Sequence, residues 1–489
     1  MQHLNKTNEF EHGINNVTNK RFSKEANMHY LYSSAEELLK DKDTLSKMIQ
    51  HHREHQYRRL RVLREYYEGE NTNILTGQRR REDHLADNRA THNFAEYVSG
   101  FIQGYMTGIP LKTSYPDDKT DETLRDINRV NDADEHNSEL TLDQSIYGRA
   151  YELLFRNKND DTRFTVLDPL ETFVIYDDTV ERNPIAGVRY FNKQFEDSSR
   201  VVYLYTDTHI YTFELDDAYN LRETNKDYHY FEGVPIIEYE NNKFRKGDFE
   251  NVLALIDLYD AAQSDTANYM QDLNDAMLVI VGNLDIDTDE AKKQKDYNLL
   301  MLQTETDAEG RSSNADAKYI YKEYDVNGTE AYKDRVFNNI LLFTSIPNLL
   351  DDKRGLGNQS GESLKMKLFA LTQKRATKER LFKKSLRDRY RLINNIMKFA
   401  SEGEFDVSKI TITFTENLPS MIDKELEWFN SAGGILSQET LLENLTFVEN
   451  AKEEMERIEQ EDVQFKQGMT MYEFADSEGE SIRDVIDDE

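Results

Sequence analysis

The sequence predicts an α+β chain of several domains. Three observations carry this. The chain has 489 residues, too long for one compact core. Short Val-, Ile-, Tyr- and Phe-rich runs separated by Asp/Asn/Pro turns fill its second quarter. Helical periodicity dominates on both sides of them. Hydrophobic residues make up 38% and charged residues 31%, so much of the surface must be charged. That balance suits an elongated or multi-lobed subunit better than a sphere.

Residues 1–34 are rich in Asn, Lys, Thr and Glu and read as a flexible N-terminal arm. Leu38, Leu39, Leu45, Met48 and Ile49 place a one-faced helical region over Ser34 to Glu68, ending near Gly69. A helix over Asn93 to Met106 carries Phe94, Tyr97, Val98, Phe101, Ile102 and Tyr105, with Gly108 and Pro110 as stops. Strands are expected at Tyr151–Arg156, Arg163–Leu167, Thr172–Tyr176, Gly187–Phe191, Val201–Thr206 and His209–Leu215. This α+β region ends near Glu240. From Gly247 to Ala291 there is no Lys or Arg and there are eleven acids. Asp248 is the expected N-cap of a helix reaching about Met277, and a strand-like run, Met277 to Val281, follows. Thr329 is the expected cap of a helix to Phe343. Residues 347–361 form a Gly/Asn/Asp/Ser loop. Glu362 to Ala400 is the longest helical pattern, roughly 58 Å if continuous. Ile410 to Thr415 reads as a strand. Helices return after Leu418 with a break at Gly433 and Gly434, and the tail is acidic.

The chemistry absent from the sequence is as telling. With no cysteine, thiolate zinc sites, disulfides and cysteine nucleophiles are excluded. Neither a signal peptide nor an apolar run long enough to span a membrane occurs, so a product that stays in the cytoplasm is expected. No P-loop and no G-x-S-x-G elbow exist. Gly355, Gly357 and Gly361 only approach a dinucleotide fingerprint, and a surface loop is the favoured reading. His51, His52 and His55 cluster, with His51 and His55 on one helix face as zinc ligands can be. No third ligand is evident, so a solvated histidine face is expected. Neither a catalytic set nor a cofactor or metal site is nominated.

Charge is more informative. At a net −32 the chain repels DNA on average. Yet Lys365 to Arg391 holds eleven cations against Glu379 and Asp388. Pairing with acidic neighbours, in the cation-free segment of another subunit for example, is favoured over contact with DNA phosphates. Arg58, Arg59, Arg61, Arg64 and Arg79 to Arg81 form a second basic zone that could bridge subunits or touch DNA.

The runs YYEGENTNI from Tyr66, ADNRATHNFAEYVSGFIQGYMTGIP from Ala86, SIYGRAYELLFRN from Ser145 and TFVIYDDTVERNPIAGVRY from Thr172 share one family likeness. So do GDFENVLALIDLYDAAQSDTANYMQDLNDAMLVIVGN from Gly247, YDVNGTEAYKDRVFNNI from Tyr324, SGESLKMKLFALTQKRATKERLFKKSLR from Ser360, ITFTENLP at Ile412 and GGILSQETLLENL at Gly433. In this order and spacing the sequence resembles the portal, or head-to-tail connector, family of siphophages that infect Gram-positive bacteria. The resemblance implies a portal fold: an α/β wing (residues 35–246), a stem helix (247–272), a small α/β clip (273–324) and a second stem helix (325–346). A tunnel loop (347–361), a long helix with a wing strand (362–416), and a helical crown with an acidic tail (417–489) complete it.

The family further implies a non-enzymatic subunit without cofactor, in a dodecameric ring at the capsid portal vertex of the virion. It is made in the host bacterial cytoplasm. Double-stranded DNA passes its channel. The clip docks terminase and later the head-completion adaptor, and the ring seeds procapsid assembly with scaffolding and major capsid proteins. Asn348, Asp351, Asp352, Lys353, Arg354, Asn358 and Gln359 map to the DNA-facing loop, and Asp285, Asp287, Asp289, Glu290, Lys292, Lys293 and Lys295 to the docking clip. A mostly acidic channel would let DNA slide, and screening over about 8 Å leaves only lining residues to matter. The competing readings are a nuclease or terminase subunit, which would need a metal-binding carboxylate set or a P-loop, and a scaffold or adaptor that forms no ring.

Overall fold

The computed structural model describes residues 21–77, 86–193, 195, 200–272, 277–282, 299–303, 316–320, 325–348, 361–415, 422–432, 436–443, 445, 448, 451 and 454–460. The chain divides into two compact units, Met1–Phe414 and Thr415–Glu489.

The first unit opens with a 3-10 turn (Lys24–Asn27), strand β1 (Tyr30–Leu31) and helices α1 (Ala35–Lys40) and α2 (Lys42–His51). A π-turn (His52–Gln56) leads into α3 (Tyr57–Tyr67), then α4 (Thr72–Leu75) and α5 (Phe94–Thr107). Strand β2 (Lys112–Ser114), α6 (Asp118–Val130) and α7 (Ala133–Tyr147) come next. The strands follow: β3 (Arg149–Arg156), β4 (Thr162–Leu167), β5 (Thr172–Tyr176), β6 (Pro184–Asn192), β7 (Arg200–Tyr205), β8 (His209–Leu215), β9 (Leu221–Tyr228) and β10 (Ile236–Glu240). Helix α8 (Leu253–Asp272) is followed by β11 (Met277–Gly282), β12 (Leu299–Gln303) and β13 (Asp316–Ile320). Helices α9 (Val326–Thr344) and α10 (Gly361–Phe399) and strand β14 (Thr411–Thr413) complete it.

The strands form four sheets. Six run in the order β1-β5-β6-β7-β8-β9, with β1 parallel to β5 and the rest antiparallel. Antiparallel β10-β3-β4 forms a second sheet, β12-β11-β13 a third, and β14-β2 a pair. Leu38, Leu45 and Ile49 cover the larger sheet through Phe173, Ile175, Val188 and Phe213. A second core packs Phe382, Leu386, Tyr390 and Ile393 of α10 against Leu140, Ala150, Leu154 and Tyr239. Tyr151, Leu153, Val174 and Ile236 fill the space between the two sheets.

The expected strands all form, to within a few residues. Residues 21–34, expected to belong to a flexible arm, are instead packed. Strand β1 pairs with β5, and the Asn27 amide donates to the carbonyls of Phe244 and Arg245 at 2.7 and 3.0 Å. Gly148, where α7 turns into β3, has φ +82°, and a Cβ there would meet the Arg245 carbonyl oxygen at 2.2 Å. Only glycine satisfies both constraints.

In the second unit α11 (Ile422–Ala432) and α12 (Gln438–Glu443) surround a small core of Leu442, Leu445, Val448 and Ala451. Among the described residues no helix is long and apolar enough to cross a membrane.

Candidate functional site

The acidic segment, its partner helix and the long basic helix converge in the first unit. Asp248 does not cap α8. Its carboxylate lies 2.9 Å from Nζ of both Lys374 and Lys378, with Asp248 and Lys378 almost wholly buried. A carboxylate held by two ammonium groups, one of them buried, is not free to cap. Burial would raise its pKa, but the two lysines outweigh that and hold it far below the usual range. The turn at Glu250–Val252 starts the helix instead, and Glu250 accepts from the fully buried Arg59 at 2.6 and 3.0 Å.

One face of α8 is taken up by residues 71–73 and 88–92. Asp257 accepts from Tyr66, Arg21, Asn71 and Asn73. The fully buried Asp260 accepts from Asn71 Nδ2 at 2.8 Å and from the His92 backbone and ring at 3.0 and 2.9 Å. Asn268 accepts from the Asn88 backbone at 2.6 Å. Asp257, Asp260, Ser264, which accepts from Ala90 N at 2.9 Å, and Asn268 repeat at helical spacing, so these groups fall on one stripe. Asp257 and Asp260 are therefore ties within one chain.

Helix α9 packs beside α8 through Phe337, 5.9 Å from Phe94 and 6.5 Å from Tyr259 between ring centres. Buried Lys333 reaches Gln263 at 3.3 Å and Glu330 at 2.5 Å. The cap of α9 is Asp325, which accepts from Gly328 N at 2.9 Å, not Thr329. Aspartate one turn earlier takes the free N–H groups first.

Several cations of α10 find acidic partners within the chain, as the favoured reading of pairing with acidic neighbours expects. Lys374 and Lys378 take Asp248, and Arg389 lies 2.7 Å from the fully buried Glu152. Arg375 bonds Glu379 at 2.6 Å and stands over the Tyr105 ring. Arg380, Lys384, Arg387 and Arg391 follow at steps of four, three and four, and their exposure leaves one charged stripe toward solvent. In the second basic zone Arg59 is consumed by Glu250, Arg64 grips Asp168 with two bonds of 2.8 Å, and Arg61 pairs with Glu65. Arg59 is thereby buried, while Arg61 stays exposed beside Glu65. Arg58 is exposed, and Arg79 to Arg81 lie outside the described residues.

Of the histidine cluster, expected as a solvated face, His51 and His55 are half-buried and His52 leaves that face for the core. His52 is fully buried, 2.8 Å from the Tyr190 hydroxyl and stacked on Phe173. Burial, then Arg149 and Arg245, hold it well below its ordinary pKa, so it is a neutral core residue. Of the loop residues expected to face DNA, Asn348 is half-buried and donates to Asn338 Oδ1 at 3.0 Å. Asp351, Asp352, Lys353, Arg354, Asn358 and Gln359 lie outside the described residues, as do the expected clip residues Asp285, Asp287, Asp289, Glu290, Lys292, Lys293 and Lys295. The buried carboxylates missed by sequence reasoning, Glu152 above all, carry no local signal, because their cations come from distant elements.

Three comparisons bear on what this scaffold is. The family model described as phage portal protein, SPP1 Gp6-like, matches residues 46–467. The chain belongs to this portal family. The portal protein of Clostridium phage phiCD119 is 27% identical over 427 residues, covering 81% of this chain and 91% of that one. That of Bacillus phage SPP1 is 25% identical over 437 residues, covering 84% and 81%. A chain in the neck of an empty GTA particle covers 71% of this chain and 88% of its own, at 11% identity and a TM-score of 0.38, too distant to carry an argument. The protein is thus a phage portal: a structural, non-enzymatic component of the virion at the capsid vertex, of a family that implies a homo-oligomeric ring joined to the capsid.

Proposed function

We propose that this portal subunit closes into a dodecameric ring whose bore passes double-stranded DNA during packaging and ejection. The carrying observation is apolar surface left in solvent on three helices. Leu258 and Met270 of α8, Tyr332, Leu342 and Phe343 of α9, and Met366 and Phe369 of α10 are exposed, Leu342 by 69% and Met366 by 77%. In a chain of net charge −32, such residues favour burial against a neighbouring copy.

In this reading α8 and α9 are the stem and residues 273–324 the clip that docks terminase and then the head-completion adaptor. Residues 347–361 are the tunnel loop beside α10, residues 35–246 the wing, and 417–489 the crown and tail. The ring would also meet scaffolding and major capsid proteins while the procapsid forms in the host cytoplasm. Asp351 and Asp352 beside Lys353 and Arg354 would give weak, reversible phosphate contact.

Two experiments test this. Leu342→Glu with Phe343→Glu is expected to abolish rings in negative stain while far-UV circular dichroism stays unchanged. Rings at wild-type yield would remove α9 from the interface. Lys353→Ala with Arg354→Ala is expected to lower DNA packaging or retention, and unchanged values would remove the loop's role.

A further inference from the structure

The two histidines left over from the buried cluster stand in a different setting. His51 ends α2, and His55 lies one turn on, inside the π-turn His52–Gln56. Their rings sit side by side, centres 4.6 Å apart and planes 39° apart. The 3-10 turn Lys24–Asn27 brings Glu25 to them, with Oε2 3.6 Å from His55 Nδ1. One ligand atom from each of the three lies within 4.8 Å of the others. Each side chain is only partly buried, so an ion has access.

The spacing suits a metal. Bonds of about 2.0–2.1 Å in tetrahedral geometry set ligand atoms roughly 3.4 Å apart. The His55–Glu25 separation is already close to that, and a small side-chain adjustment closes the rest. His51 also has the outer partner a metal-bound imidazole needs. The Tyr30 hydroxyl lies 2.9 Å from His51 Nδ1, which leaves Nε2 as the ligand nitrogen in the tautomer that donates to Tyr30. Tyr30 is itself buried, 4.7 Å from the Phe173 ring, so its hydroxyl is fixed. The π-turn is a rare local geometry that recurs at functional positions.

A second cluster, His29 with Glu238 and Glu240, has comparable spacing but a different character. The Arg245 guanidinium lies 2.5 Å from Glu238 and 4.0 Å from Glu240 and already supplies the positive charge. A cation there would have to displace a buried arginine.

We propose that His51, His55 and Glu25 bind a divalent transition metal, with Zn2+ the best fit and water in the fourth position. Two imidazoles and one carboxylate select against Mg2+ and Ca2+, which prefer all-oxygen shells. The ion fastens the 3-10 turn Lys24–Asn27 to the helix spanning α2 and α3.

The test uses tag-free, chelator-stripped, full-length protein titrated with ZnCl2 by calorimetry and with CoCl2 by visible absorption. One equivalent per chain is expected, with tetrahedral cobalt bands that excess MgCl2 does not remove. His55→Gln and Glu25→Gln should each weaken binding at least about 10-fold, and Tyr30→Phe about 10-fold, the usual effect of losing an outer partner. His29→Gln should bind as wild type. The half-exposed positions 55 and 25 are chosen because neither is part of the core, and circular dichroism confirms folding. Stoichiometry well below one, or His55→Gln and Glu25→Gln binding both ions like wild type, would overturn the proposal.

Discussion

Glu152→Gln probes the most heavily tied point of the first unit. Glu152, on β3, accepts from the Tyr239 hydroxyl of β10 at 2.6 Å. It also meets His136 of α7 at 2.9 Å and Arg389 of α10 at 2.7 Å. The Arg389 contact is an ion pair rather than an aligned hydrogen bond, since its Nε–H is not directed at the carboxylate. Glu152 and Arg389 are fully buried. Burial pushes the carboxyl pKa up, but Arg389 and His136 outweigh it and bring it from an ordinary 4.5 to about 2. At 1.36 kcal/mol per tenfold, that difference corresponds to about 3 kcal/mol. Stranding a buried guanidinium costs a similar 3–5 kcal/mol or so. Because the folded pKa is depressed, the stabilisation is complete above about pH 5. It declines as pH falls toward 2, to less than half by about pH 3. Urea titration by far-UV circular dichroism, at one protein concentration, should show the variant about 3 kcal/mol less stable at pH 5–7, with the gap narrowing in acid. Fluorescence of the single tryptophan, Trp428, would report the second unit instead. A loss under about 1 kcal/mol, or a gap independent of pH, would refute the reasoning.

Asp248→Ala strands two lysines, one of them buried, and should cost about 3–5 kcal/mol in the same titration. Adding Lys378→Met should recover at least about 1 kcal/mol, measured as the coupling in a double-mutant cycle. Gly148→Ala must place a Cβ against the Arg245 carbonyl oxygen at positive φ, so a loss of about 2–4 kcal/mol is expected in urea titration. Arg149 is fully buried, its guanidinium has no hydrogen-bond partner among the described residues, and burial lowers its pKa to about 10. Arg149→Met should therefore raise the urea midpoint, by about 1 kcal/mol in stability.

How far the sequence reveals this structure depends on whether the signal is local. Strands β3 to β8 were legible because β-branched and aromatic residues recur between turn residues. Helix α10 was legible from an uninterrupted apolar repeat and agrees with expectation to one residue at each end. Helix α7 was not. Its buried side chains include Asn137, Thr141, Gln144 and Ser145, so no apolar stripe marks it. Strand β9 was missed because it is polar and exposed along nearly its whole length, held at the sheet edge by backbone pairing with β8. At the candidate site, the cations and acids were visible but their pairing was not. Asp248 finds Lys378 across 130 positions, a distance over which charge pattern carries no information. The same limit hid Glu25 from His51 and His55, which only the turn at Lys24–Asn27 brings together.

The proposed function requires identical copies to close around a bore. Negative-stain imaging of the purified full-length protein, with sedimentation velocity across a wide concentration range, tests this most directly. Annular particles with a central hole are predicted, whatever their subunit number in isolation. A single sedimenting species of 57.4 kDa at every concentration, with no annulus in any field, would contradict it.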